Sequence, residues 1–271
     1  MARIRNIWLR VALTLSLLLP LYFLAAALCA KFHILDWRIA FGVLVVAVGG
    51  IVLLTVFVLA LIGVILALAV KPRTGWRLAI LALVIPAIGL CYAAIIIAGA
   101  RTVPPIHDIS TNIQDPPLYG PSVVAARATT PGGNAVESLT VPIASLASYH
   151  SMRDPALKSQ TVGALGRKAN PDLVSLSLSM SVPQAVSTAA EVARAQGWQV
   201  TRVAPSEGRI EAIVESFWFG FKDDVVVRVR PGPSERTSIL DVRSTSRVGV
   251  SDLGVNAKRV RNFLIALKAA R

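Results

Sequence analysis

From Ile39 to Val70 the chain carries no charged side chain. An uninterrupted apolar run of that length has one stable home, a helix crossing a lipid bilayer, because only there is the backbone satisfied without polar partners. As a straight helix it reaches about 48 Å, against a hydrocarbon core of about 30 Å. It must therefore tilt, protrude or bend, and Gly49 with Gly50 is the natural bending point. Two further apolar stretches flank it. Val11 to Ala30 follows the basic start MARIR and carries Pro20, and Leu78 to Ala100 carries Pro86 and Gly89. Three transmembrane helices are expected, about 11–30, 39–70 and 78–100. A cleavable leader ending near Ala25 to Ala27 is the rival reading of the first.

Charge assigns the loops to sides. The first hundred residues hold Arg3, Arg5, Arg10, Lys31, Arg38, Lys71, Arg73 and Arg77 against Asp36 alone. The N-terminus and the loop with Lys71, Arg73 and Arg77 are the more basic, so the positive-inside rule puts both in the cytoplasm and everything after Ala100 outside it. More than half of the net charge of +13 thus flanks apolar segments. A pI near 10.7 is explained by membrane orientation, and no nucleic-acid-binding motif accompanies it. Both cysteines, Cys29 and Cys91, fall inside apolar spans, leaving no disulfide or cysteine metal site for the polar part.

Residues 101–170 read as a Pro-rich irregular connector, with Ile106, Ile109, Ile113, Leu118 and Tyr119 apolar enough to form a strap against the following domain or the bilayer surface. Residues 171–271 read as an extracytoplasmic α+β domain. Leu173 to Met180 alternates as a strand. Ser181 with Gln184 forms a capping box for a helix whose stripe is Val186, Ala189, Ala190 and Ala193, stopping at Gly197. Trp198–Ala204, Arg209–Trp218, Asp223–Arg230 and Ser238–Ser246 follow as strands joined by short turns, hence antiparallel neighbours. Ser251 or Asp252 caps a last helix bearing Leu253, Ala257, Val260, Phe263, Leu264 and Leu267, and Lys268 and Arg271 complement its C-terminal dipole. The expected domain has two layers, about five mostly antiparallel strands with both helices on one face.

Strand alternation sends Val225, Val227, Val229, Leu240 and Val242 towards the helices. Arg228, Arg230, Asp241, Arg243 and Thr245 share the opposite face, joined by Arg209, Glu211 and Glu215. Two readings fit: a sheet face laced by cross-strand ion pairs, or a concave anion site using planar bidentate guanidiniums. The loop RVGVSDLGVN into the last helix poses the same choice, since its amides suit a phosphate or carboxylate but Ser251 or Asp252 caps them equally well. The ligand-binding candidates are Arg228, Arg243, Arg247, Asp252, Asn256 and Arg259. His107, Asp108, Asp223 and Asp224 are secondary candidates. Asp223 and Asp224 are adjacent in a strand and point to opposite faces. No histidine pair has metal-ligand spacing, and no P-loop, Rossmann, G-x-S-x-G or H-E-x-x-H fingerprint occurs. No catalytic residue, metal or cofactor is assigned.

IHDIST from Ile106, Pro116 with Pro117, NPD from Asn170, GRIEA from Gly208, WFGFKDDVVVRV from Trp218 and DVRSTSRVGVSDLGVNAKRVRNFL from Asp241 together resemble the bacterial family catalogued as domain of unknown function 1499. Asn112 stands where that pattern leads us to expect an acid. The resemblance implies a membrane-associated or exported domain and supplies no reaction. The combined expectation is a multi-pass inner-membrane protein presenting an extracytoplasmic (periplasmic) domain that binds an anionic component of the cell envelope or a protein partner. The alternative is a membrane-anchored hydrolase or lyase using Asp223, Asp241 or Asp252 with arginines that stabilise developing negative charge.

Overall fold

A computed structural model describes residues 1–270, and Arg271 with its expected dipole role lies outside them. The chain groups into two units, Met1–Gly99 together with Ser216–Gly220, and Ala100–Glu215 together with the chain from Phe221 onward.

The first unit contains three helices long and apolar enough to cross a membrane: α1 (Ala2–Lys31), a continuous helix over Arg38–Ala69, and α3 (Trp76–Ala100). The middle span changes its winding where a bend was expected. Arg38–Val48 is π-helical and α2 proper runs Gly49–Ala69. Gly49 allows this junction to pack, because a Cβ there would lie 2.7 Å from the Phe23 ring and 2.8 Å from the Leu44 carbonyl oxygen. Helices in lipid gain from close backbone approach and interhelical hydrogen bonds. Accordingly the buried alanines Ala12, Ala60 and Ala82 meet, and Ser16 Oγ donates to the Ala82 carbonyl at 2.7 Å. Trp8 Nε1 and Tyr22 OH donate to the Leu59 and Leu44 carbonyls at 2.9 and 2.6 Å.

The helix α1 begins earlier than its apolar stretch, and Arg5 shows why that is tolerated. Its buried guanidinium donates to the Val70 and Pro72 carbonyls at 3.1 and 2.5 Å and to Thr74 Oγ1 at 2.7 Å, tying the start of α1 to the loop before α3. At the other end of α1, Lys31 Nζ lies 3.3 Å from the ring centre of Phe217 and donates to that residue's carbonyl at 3.1 Å.

The second unit is a six-stranded antiparallel sheet with helices. Its elements in chain order are β1 (Asp108–Ser110), α4 (Pro121–Ala128), α5 (Pro155–Lys158), α6 (Val162–Ala169), β2 (Leu176–Leu178), α7 (Val182–Ala195), β3 (Gln199–Ala204), β4 (Arg209–Glu215), β5 (Lys222–Pro231), β6 (Ser238–Ser246) and α8 (Val255–Ala269). The order across the sheet is β1-β6-β5-β4-β3, and β2 also pairs with β6. The expected valine and leucine face packs on α7 and α8: Val225, Val227, Val229, Leu240 and Val242 join Val186, Ala189, Ala190, Val260 and Phe263 in one core. Trp198 stacks on Phe263 at 4.8 Å. The α7 start also matches expectation, with Gln184 Oε1 accepting from Ser181 N and Oγ.

Two local expectations are corrected. The stretch read as an irregular connector contains a strand, three short α-helices and two single 3-10 turns: Pro121 and Pro155 occupy first helical turns, where a missing N–H costs nothing, and Thr161 caps the third α-helix. The strand expected over Leu173–Met180 shrinks to three residues because β1 takes the rest of the same β6 edge: β2 pairs with Ser238–Leu240 and β1 with Arg243–Thr245. Thr111 closes the seam between them, its N donating to the Val242 carbonyl at 3.0 Å and its Oγ1 accepting from Val242 N at 2.9 Å.

Candidate functional site

The loop between β6 and α8 holds three residues with left-handed backbone, Gly249 (φ +88), Leu253 (φ +55) and Gly254 (φ +82). Leu253 is the one that pays a steric penalty for it, since its Cβ crowds the following carbonyl. The loop is fixed by its own carboxylate: Asp252 Oδ1 accepts from Gly254 N and Oδ2 from Asn256 N, each at 2.8 Å. Burial pushes the Asp252 carboxyl up, opposed by those two amides. Asp252 thus takes up the amides that might have cradled an anion, but the N-cap position itself is Gly254, and Leu253, expected on the core stripe of this helix, precedes it and is 51% exposed.

Asn256 extends the cap into the sheet. Its Oδ1 accepts from Ser244 Oγ at 2.6 Å, and its Nδ2 donates to Ser246 Oγ at 2.9 Å and to the His107 carbonyl at 3.1 Å. Arg259 hydrogen-bonds Asn256 Oδ1 and reaches Asp223 Oδ2 at 2.5 Å. Alternation therefore puts Asp223 on the helix side, where Asp252, Asn256 and Arg259 gather, and Asp224 on the other.

On that other face the ladder is covered by the 101–170 segment. Arg243, 1% exposed, makes two parallel hydrogen bonds to Asp108, 3.1 Å from Nε and 2.7 Å from Nη2. Arg247 binds Asp224 in the same forked way, with Nη2 at 2.7 Å, and Arg127 Nε approaches Asp224 from α4 at 2.8 Å. Asp241 accepts from Arg228 at 3.1 Å and Arg230 at 2.8 Å, and Arg228 also pairs with Asp115. Each candidate arginine has a carboxylate of its own chain as partner, the arrangement expected of the ion-pair reading. A ligand anion at any of them would compete with a carboxylate already in place.

His107 lies beneath this region, buried, its ring stacked on Tyr149 at 4.8 Å and its Nδ1 3.4 Å from the Val250 carbonyl. Burial holds its pKa below the ordinary histidine range. With Asp108 turned to Arg243, the two neighbours form no dyad. Asp223, Asp241 and Asp252 are held respectively by Arg259, by Arg228 with Arg230, and by amides. The described residues contain no cluster of three or more His, Cys, Asp or Glu suited to a metal ion.

A cavity of about 310 Å³ lies beside the strained loop, away from the arginine ladder. Its apolar wall is Val103, Pro104, Ile106, Ile109, Leu253 and Ala257; its polar groups come from Thr102, Asn170, Asp252 and Arg261. Arg261 is oriented by Asp172, at 2.6 and 2.9 Å, and by Asn170 Oδ1 at 3.0 Å. That guanidinium holds the Asp172 carboxyl below its usual range. Asp252 is the sequence candidate that lines the cavity, and Asn256 lies next to it in the chain. Sequence reasoning gave no site role to Asn170, Arg261 or the span-proximal wall, which are far apart in sequence and share no local spacing that would bring them together. It also missed Arg127, although Val123 and Arg127 stand one helical turn apart and share a buried face.

Three candidate membrane spans followed by an α+β domain whose buried carboxylates and guanidiniums are paired with one another define a class, a membrane-anchored protein with a folded domain outside the hydrocarbon. The family model described as protein of unknown function (DUF1499) matches residues 109–267, and the chain belongs to that family. A search of curated proteins finds none that matches.

Proposed function

We propose that this protein is a membrane-anchored binding module whose second unit takes a small, partly apolar ligand in the cavity beside Asp252 and Leu253. The observation that carries the reading is the cavity itself. Its volume of about 310 Å³ reaches the size of small-molecule sites, which are mostly apolar and carry a few convergent polar groups. Leu253 is held in a strained left-handed conformation at its edge, and such strain concentrates at sites of function. The polar groups present, Asp252 and the Arg261–Asp172 pair, favour a hydrogen-bonding or weakly basic head over an anion. The arginines of the sheet act as cross-strand and interlayer ties. The charge distribution of the loops supports a bacterial inner-membrane location with the N-terminus in the cytoplasm and the binding domain in the periplasm.

The test is native mass spectrometry of the full chain released from detergent. Wild type is expected to carry a non-covalent adduct that Val103→Trp, which fills the cavity wall, abolishes and that Val124→Trp, on α4 away from the cavity, retains. An adduct indifferent to Val103→Trp, or none on wild type and the control, refutes the reading.

A further inference from the structure

The turn between β4 and β5 carries Phe217, Trp218 and Phe219 in succession. Turn geometry does not call for them, since turns favour Gly, Asn, Asp, Ser and Pro, and Ser216 with Gly220 (φ +65), joined by Gly220 N donating to the Ser216 carbonyl, already answers that need. Phe217 is 67% and Trp218 45% exposed, their rings meeting each other edge to face at 4.9 Å. At the base of the turn Glu215 and Lys222 approach to 3.7 Å, so the apolar tip ends in a collar of opposite charges.

The bilayer is on the correct side to meet this tip. Two spans, Arg38–Ala69 and Trp76–Ala100, separate the loop after Lys31 from everything after Ala100. Two crossings return the chain to the side it left, whichever way α1 points. Ser216–Gly220 groups with the apolar helices, where the Lys31 ammonium sits over the Phe217 ring and Phe41 meets Phe219 at 4.9 Å. A lysine at a helix end and a Trp ring populate the boundary between headgroups and acyl chains, and Phe beside them supplies the apolar contact that interfacial anchors bury there.

We infer that the β4–β5 turn is a lipid-facing anchor, inserting Phe217 and Trp218 into the interface of the bilayer that the chain itself spans. The paired collar leaves the tip without net charge, so zwitterionic phosphatidylcholine is sufficient to hold it. The test uses the full chain in phosphatidylcholine nanodiscs, comparing wild type with Trp218→Phe, a change that keeps an aromatic ring at the tip. The difference between their fluorescence spectra is the emission of Trp218. With lipids brominated near the top of the acyl chains, that difference emission is expected to lose most of its intensity, while soluble acrylamide leaves it nearly unchanged. Quenching by acrylamide without quenching by bromine means a tip in water and overturns the inference. Protection from both quenchers means a tip packed against protein and overturns it too. Trp218→Phe unfolding would appear as loss of the emission of buried Trp198; the fallback is wild-type emission alone, whose bromine-quenched part must then exceed that of Phe217→Asp.

Discussion

The guanidinium of Arg243 and the carboxylate of Asp108 face each other in two parallel hydrogen bonds, both residues buried, one on β6 and one on β1. A pair of this kind joins the first strand of the domain to the last, and it behaves asymmetrically on mutation. Removing one partner leaves an uncompensated charge in low dielectric, whereas removing both leaves an apolar gap. Arg243→Met is therefore expected to cost about 3–5 kcal/mol, read as a shift in the urea midpoint of Trp198 emission. Combining it with Asp108→Leu restores a substantial part of that loss. Equal damage in the single and double variants would show that the pair is not coupled in this way.

The burial of His107 predicts an acid-sensitive fold. Its folded pKa lies below its unfolded value of about 6.5, so below that pH the unfolded chain binds a proton that the folded one refuses. Stability is present above about pH 6.5 and falls as pH decreases, with a limiting slope of about 1.4 kcal/mol per pH unit. His107→Phe keeps the stacking on Tyr149 and removes the titration. Its stability, measured by urea unfolding from pH 7.5 to 5, is expected to be flatter than that of wild type. Parallel curves would assign the acid sensitivity elsewhere.

Leu253 offers a test of strain beside the cavity. Its left-handed conformation costs about 1–2 kcal/mol, and replacing it with glycine removes that cost while adding about 0.4–1 kcal/mol of unfolded-state entropy. Leu253→Gly is expected to stabilise the domain by roughly 0.5–1 kcal/mol, the difference of those terms. Ligand capture by the same variant should weaken, because the apolar wall loses its side chain. A destabilised variant contradicts the strain argument.

Three spans impose a parity on the loops. With Cys29 and Cys91 replaced by serine, single cysteines at His33 and Glu235 should react with a membrane-impermeant maleimide from the same side, and one at Arg73 from the other. Labelling of His33→Cys and Arg73→Cys from one side would remove a crossing between them.

The fold was legible where periodicity and charge were strong. The charge-free run Ile39–Val70 announces its span, and the alternation of β5 and β6 places Val225, Val227 and Val229 on the helices. The region 101–170 was not, for two physical reasons. Pro121 and Pro155 were read as breakers, yet proline starts a helix as readily as it ends one. Asp108–Ser110 is too short to show a period and becomes a strand because β6 offers a free edge. The same covering segment decided the candidate site: parity placed Arg228 and Arg243 on one face, but the partners Asp115 and Asp108 arrive from over a hundred residues away, beyond the reach of any local pattern.

The seam at β6 governs when this domain is able to exist. Strands β1, β2 and β5 all hydrogen-bond to β6, and β6 is synthesised last. While the ribosome is still making residues before Ser238, β3, β4 and β5 can pair with one another, but β1, β2 and the outer edge of β5 stand bare. The β1 and β2 side of the sheet therefore closes only once β6 has emerged, and until then the free edge of β5 is a template that must be kept from pairing with another chain.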